Sequence, residues 1–519
     1  MDIYIRSIAG GEPTNLTKDL VTIAHRWPQW SPDGKEIAFL STPSGQRLAT
    51  FATTEHTIQV VRLPGGAPRT ITNASMRGLA WSSDGTKIAF VRDSDVYVIS
   101  ADGTGLRRIA EGYEAHALSW SPDGKWIAYV CGNVLSLFGP NMFGNLAPSF
   151  IAIASADGGE SRQLTDSRTT NTSPVWMPDS RSLLFLSNRG GSRDVFHVRL
   201  SDTAEALAEP RRITTGLNAL SIHLSHDGRQ LAYSLFLSKA NLWSLALPES
   251  GPVSPAEAKP VTTGAQSIEG VSISRDGKWI AFDSNRNGNQ DIYRIPREGG
   301  QPEQLTTDPS DDFLPAWSWD GHSIAFHSFR NGNRDIYVMS ADGTGQQQVT
   351  SDPAQERYPQ WSPDGRSLAF FSDKTRRQEI YTVTRENGGW GQPRQLTSSE
   401  GAQVPRWSPD GESIAYIDLV KGLSVISPTG RTLRHLVNVR PPFDPKFVAW
   451  SSDSKTIYYK AGSLRGSFWS VPASGGSPTQ LVQFDDARNF ARMEFDLLEK
   501  ELFFTMTQRE SDIWILELH

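Results

Sequence analysis

A single cysteine, Cys131, stands in 519 residues, so no internal disulfide framework holds this chain, and one thiol says little about redox compartment. An excess of one charge is also missing. Lys and Arg number 51 against 57 Asp and Glu, a net charge of −6 with no long run of one sign, which excludes the basic footprint of a nucleic-acid binder. Nowhere are there enough consecutive apolar residues to span a bilayer, so direct membrane insertion is not expected. The opening MDIYIRSIAGGEP lacks the basic start and apolar core of an export signal, and a soluble chain is the expectation. The nucleophile pattern GxSxG, the zinc pattern HExxH, the Walker A loop and the kinase signatures HRD and DFG are all absent. What is plentiful is 44 Gly, 32 Pro and 16 Trp, the composition of a turn-rich all-β protein.

The stretch Trp317 to Thr350, WSWDGHSIAFHSFRNGNRDIYVMSADGTGQQQVT, shows what those residues build. Ser318-Trp319-Asp320-Gly321, Arg330-Asn331-Gly332-Asn333 and Ala341-Asp342-Gly343-Thr344-Gly345 are turn sequences. Asn-Gly and Asp-Gly between apolar runs favour hairpins because these residues tolerate positive φ. The spacing predicts a four-stranded antiparallel unit of about 44 residues, the size of a propeller blade.

The unit recurs in register. Trp30, Trp81, Trp120, Trp176, Leu224, Ile273, Trp317, Trp361, Trp407, Trp450 and Phe495 occupy one anchor position. Three residues on comes Asp, as in Ser31-Pro32-Asp33-Gly34, with Leu498 the exception; turn chemistry explains this Asp. Strands such as Ile37-Ala38-Phe39 and Ile127-Ala128-Tyr129 are apolar on both faces, as blades packed face to face require and a two-layer sandwich does not. Residues 1–17 enter a repeat halfway, Asp2–Ile5 matching the third strand of the template and Gly11–Thr17 its fourth. Pro248–Pro260 is the most linker-like segment. The fold expected is therefore all-β: two tandem β-propellers of about six four-stranded blades, over 1–250 and 251–519, the first with an incomplete N-terminal blade. Closure of the second ring is expected from a strand near Val261 pairing with one near Ile513, and Asn241–Ser244 is expected as the third strand of the Leu224 blade. Cys131–Ser149 is expected to be a loop offering Leu137, Phe138, Met142 and Phe143 as a cap or an apolar contact.

The WSPDGxxIAF core, the RNGNxDIY turn and strand and the closing Leu-Thr (Leu305-Thr306, Leu396-Thr397) closely resemble TolB-like propeller repeats over nearly the whole chain. The wording of Asn171–Asp194 and Asn218–Trp243 is similar to propellers fused to bacterial membrane-anchored Ser/Thr kinases or winged-helix regulators. The resemblance implies a periplasmic or extracytoplasmic location and a protein or peptide partner, as in a sensor part. Related propellers also precede the hydrolase domain of prolyl oligopeptidase-like peptidases. The leading expectation is a non-catalytic scaffold; the alternatives are a propeller-channel lyase or glycoside hydrolase, or a peptidase propeller.

No catalytic residue, metal site or cofactor is expected. His223 with His226, and His322 with His327, each lie within one hairpin, where ligands from several elements do not converge. Asp283–Asp291 imitates half a calcium loop but lacks its closing Glu, and an Asn-Gly turn accounts for it. Ligand binding is expected at the channel mouths, lined by segments just before the anchors. These supply His25, Arg26, Arg77 and His116 in the first propeller, and Glu269, Asp312, Phe313, Arg357, Tyr358, Lys446 and Arg492 in the second.

Overall fold

A computed structural model describes residues 2–7, 11–18, 22–43, 56–75, 78–133, 148–190, 192–248, 251–375, 377–386, 388–430, 433–438, 445–462, 466–484 and 489–518. The chain divides into two compact units, one comprising Met1–Gly139, Leu146–Phe236 and Ser511–His519, the other Leu237–Glu510. Each is a stack of antiparallel sheets in which consecutive strands pair by hairpins, and together they are tandem β-propellers. The template is borne out strand by strand: Asp312–Trp317, Ser323–Ser328, Asp335–Ser340 and Gln347–Gln348 form one sheet in that order.

The second propeller has six blades. Their innermost strands are Val271–Ile273, Asp312–Trp317, Glu356–Trp361, Ala402–Trp407, Pro445–Trp450 and Asn489–Leu498. The ring closes where the Ile273 amide donates to Asp496 Oδ2 at 2.9 Å. Blade packing follows the two-sided apolar pattern. Ile336 and Val338, on the third strand of one blade, pack on Trp361, Leu368 and Phe370, on the first two strands of the next.

Closure differs from the expected pairing. Gln230–Ala246 and Glu501–Glu517 are single 17-residue strands that pair with each other. In the second propeller, residues 237–246 and 501–510 lie between Asn489–Leu498 and Lys259–Pro260, whose register sets Trp243 opposite Pro260. Asn241–Ser244 therefore belongs to this closing blade and not to the Leu224 blade. In the first propeller, residues 511–517 lie beside residues 230–236, and the Leu518 amide donates to the Arg229 carbonyl at 2.8 Å. The physical reason is in the sequence. Neither Ser234–Asn241 nor Thr505–Asp512 contains Gly, Pro or a turn dipeptide, so both strands run straight where other repeats reverse.

The first propeller runs through the blades anchored by Trp30, Trp81, Trp120 and Trp176 to a sheet of Ala219–Leu224, residues 230–236 and residues 511–517. Its remaining sheet holds two strands, Tyr4–Ile5 and Thr14–Asn15, the incomplete blade expected from the sequence. Ile3, Ile5 and Leu16 dock it on Ile37, Phe39, Val61 and Leu63.

The recurrent Asp is turn chemistry, as expected. Asp33 Oδ1 accepts from Ser31 Oγ at 2.7 Å and the Lys35 amide at 3.1 Å, while Ser31 Oγ accepts from the Glu36 amide at 2.9 Å. The same bonds recur at Asp84, Asp276, Asp364 and Asp453. A second repeated device was not foreseen. Three residues before the anchor, Trp27, Ala117, Ser173, Leu314, Tyr358 and Val404 all take φ between 48° and 56°. A register shift accompanies each, a bulge that turns the inner strand at this point. Gly270 holds this place in the Ile273 blade, where a Cβ would stand 2.8 Å from Leu314 Cα, so only glycine fits.

Candidate functional site in the second propeller

The residues just before the anchors are mostly buried in the fold, not gathered on an open rim. Asp312 is fully buried and paired with Arg330 at 3.0 Å. The Arg330 guanidinium lies 4.5 Å over the Tyr337 ring and 5.6 Å over Phe326, so the Arg of the RNG turn caps its own blade. Arg286 with Gln266 and Arg189 with Asn171 repeat the arrangement. Phe313 stacks on the buried His327 ring at 5.8 Å, and Arg357 lies over Phe371. Glu269 is buried with its amide donating to Asp283. Lys446 is half-buried. In the first propeller His25 is buried edge-on to Phe39 and Arg26 is half-buried, while His116 Nδ1 lies 2.9 Å from the Glu114 carbonyl oxygen. Arg77, the Arg492 side chain and most of the Cys131–Ser149 insertion lie outside the described residues.

The calcium-like stretch has its groups turned to separate partners. Asp283 accepts three backbone amides, from Glu269, Gly270 and Leu314. Asn285 accepts from the Ser267 amide, Asn289 donates to the carbonyls of Asp308 and Ser310, and Asp291 accepts from Thr306 and Gln304. Among the described residues no group of three or more His, Cys, Asp or Glu is placed to hold a metal ion. No helix among them is long and apolar enough to cross a membrane.

The channel itself is built by residues that do not repeat. Tyr358 reaches from its bulge to donate to Glu494 Oε1 at 2.8 Å, joining the Trp361 and Phe495 blades. Phe447 packs between Tyr358, at 5.9 Å, and Phe495, at 5.5 Å. Arg406, next to its anchor, lies 5.0 Å over the Phe447 ring and donates from Nη1 to Gln360 Oε1 at 2.6 Å, while its Nε has no hydrogen-bond partner. Burial lowers its pKa, against the pull of Asp496. Lys460 is fully buried and its Nζ makes no hydrogen bond; burial brings its pKa down to about 8 although Glu494 opposes this. Around Arg406 the channel opens into a cavity walled by Trp317, Trp361, Trp407 and Trp450, with Gln360 and Asp496 also lining it. The residues expected at the channel mouths do not line this cavity, which lies towards the anchor end of the inner strands. The available signal was the position just before each anchor, where Gln360, Arg406 and Glu494 stand among Ser272, Ala316 and Ala449.

Several carboxyl groups of this propeller are buried enough to resist ionisation. Burial pushes Glu356 up to about 8, Asp291 to about 7 and Asp335 to about 6. A folded pKa above the unfolded value means stability that is whole at low pH and declines as pH rises from the unfolded pKa towards the folded one. Glu356→Gln mimics the protonated acid, so it is expected to be near neutral at pH 4.5 and stabilising at pH 8 by on the order of 3 kcal/mol. Urea denaturation of both proteins at the two pH values checks this; a gain equal at both refutes the assignment.

A TolB beta propeller domain family model matches residues 309–492. Among curated relatives, the uncharacterized protein Atu1656 of Agrobacterium fabrum is 32% identical over 192 residues, covering 34% of this chain and 55% of that protein. The uncharacterized peptidase YuxL of Bacillus subtilis is 26% identical over 228 residues, 41% of this chain and 30% of YuxL. The chain thus spans about half or less of the length of the relatives it matches. Of solved structures, TolB from Acinetobacter baumannii is similar with a TM-score of 0.36 and 17% identity, over 61% of this chain and 83% of that one. The tricorn protease is similar with a TM-score of 0.34 and 13% identity, over 93% of this chain and 60% of that one. Residues 309–492, inside the second unit, are thus similar to TolB beta propeller domains, and the chain as a whole has the fold of tandem β-propellers.

Proposed function

We propose that this chain is a non-catalytic binding protein whose second propeller takes an acidic segment of a protein or peptide partner at the Arg406 end of its channel. The observation that carries this reading is Arg406, partnered at Nη1 but not at Nε, at a cavity walled by four anchor tryptophans. Trp and Arg are the residues that most often dominate binding energy at interfaces, and a guanidinium suits a carboxylate. The resemblance to propellers of envelope proteins supports an extracytoplasmic setting and a sensor or scaffold role. Calorimetric titration of the full chain with peptides ending in Asp or Glu tests the site. Arg406→Gln is expected to weaken binding by about tenfold or more. Equal affinity for both proteins refutes the proposal.

A second reading, as the propeller part of a peptidase, is favoured by the relatives YuxL and the dipeptidyl-peptidase 5 of Porphyromonas endodontalis, the latter 24% identical over 238 residues. On that reading the channel would admit substrate peptides to a hydrolase domain, and Arg406→Gln would alter cleavage by the longer protein.

A further inference from the structure

The anchor tryptophans follow a hydrogen-bond rule that fails in one place. Trp81, Trp176 and Trp450 each donate the indole N–H to a carbonyl of the preceding blade, that of the residue just before its anchor. The acceptors are Gln29 at 3.2 Å, Ser119 at 3.1 Å and Arg406 at 3.0 Å. Trp120 turns its indole to the Gly124 carbonyl instead. In Trp317, Trp361 and Trp407 the Nε1 atom is buried and has no hydrogen-bond partner. These three anchor consecutive blades and line one cavity with Arg406, whose Nε is likewise buried and unpartnered.

A donor stripped of water with nothing in its place is costly, and most buried donors find a partner. Four on the wall of one cavity call for an acceptor, and those of the wall are taken. Ser272 Oγ accepts from the Trp317 amide and Gln360 Oε1 from Arg406, while the two oxygens of Asp496 accept from the Ile273 and Leu497 amides. The cavity holds about 100 Å³, room for one small group and not for a folded element. Charge points the same way, since Arg275 and Arg406 line it against the single carboxylate of Asp496. Water is a poor occupant: it brings two hydrogens of its own among the donors. An amide brings an NH2 group and one oxygen. An ionised carboxylate has no hydrogen, a negative charge and about four acceptor positions.

On the reading that the Arg406 end of the channel binds an acidic partner, we infer that the group selected there is a single ionised carboxylate, held by the indole N–H groups of Trp317, Trp361 and Trp407 together with Arg406 Nε, and that the corresponding amide is rejected. A Glu or Asp side chain and a free chain terminus carry the same group.

The test is calorimetric titration of the full chain with three peptides: acetyl-Gly-Gly-Glu-Gly-Gly-amide, its Gln counterpart, and an acetylated all-Gly peptide with a free terminus. A carboxylate peptide is expected to bind about a hundredfold or more tighter than the Gln peptide. Which of the two carboxylate peptides does so tells the source. Trp361→Phe and Trp407→Phe keep most of the wall and lose one donor each, so each should shrink this preference by about tenfold. Loss of packing alone would weaken all three peptides alike and leave the preference intact. In a proton–nitrogen spectrum of the unsubstituted protein with labelled tryptophan, the indole signals that Trp317→Phe, Trp361→Phe and Trp407→Phe remove should move downfield on saturation. Those of Trp81 and Trp176 should stay. Binding that Arg406→Gln weakens, but with no preference over the amide and no movement of the three signals, overturns the inference and leaves the channel reading standing. Absence of binding by every peptide overturns both.

Discussion

Asp283→Ala is expected to destabilise the second propeller by about 3–5 kcal/mol, because it strands several buried polar groups at once. The carboxylate is fully buried and accepts the Glu269 amide at 2.7 Å, the Gly270 amide at 3.0 Å and the Leu314 amide at 2.9 Å. The first two lie in its own blade and the third in the next, at the bulge where Leu314 has φ 54°. The two blades approach closely here, since a Cβ on Gly270 would stand 2.8 Å from Leu314 Cα. Asp283→Asn keeps the shape with one acceptor oxygen and should recover part of the loss. Hydrogen exchange of the Asp291–Pro296 amides reads the result in the propeller concerned. Protection unchanged in the alanine variant would show that the three bonds contribute nothing net.

Arg330→Met should cost a similar amount, about 3–5 kcal/mol, for a different reason. Arg330 holds the buried Asp312 at 3.0 Å, yet the Asp312 pKa is raised, with burial the largest cause and Arg330 opposing it. Desolvation thus outweighs attraction, and the pair as a whole adds little; its removal on one side is what costs. Methionine keeps much of the packing over Tyr337 and Phe326 but leaves the carboxyl without its cation. The double variant Arg330→Met, Asp312→Asn is therefore expected to recover most of the stability lost. Urea unfolding of the four proteins in the cycle decides it, and a double variant no better than Arg330→Met alone would contradict this account.

The fold was legible because each repeat states it twice, in turn residues and in apolar strands. Asp33 and its equivalents read correctly as turn formers, and Ala325 between Ile324 and Phe326 read correctly as a strand buried on both sides. Strand exchange was harder, since it depends on what two distant segments lack. Only the missing turn residues in Ser234–Asn241 and Thr505–Asp512 signal it, and a missing turn does not say where the straight strand goes. The residues expected at the channel mouths and those lining the Arg406 cavity share the inner strands but lie at different depths along them. Asp312, expected at a channel mouth, is paired with Arg330 of the neighbouring turn, a contact that no spacing in the sequence announces. Arg406 stands at a position that is Ala in two other blades of this propeller and Ser, Gln or Glu in the rest, so no recurring polar residue marks it in the sequence.

Strand pairing at the ends of the two units also sets an order of events during synthesis. The last sheet of the first propeller needs residues 511–517, which leave the ribosome after the whole of the second propeller has been made. Through that interval residues 230–236 have an unpaired edge in a nascent chain. The closing blade of the second propeller must likewise hold residues 237–246 until 501–510 arrive. Contacts this distant in sequence slow folding, and waiting edges are the ones most open to pairing with other chains. The strand Glu501–Glu517 serves both units, so removing it alone would take a strand from the closing blade of the second propeller and from the last sheet of the first.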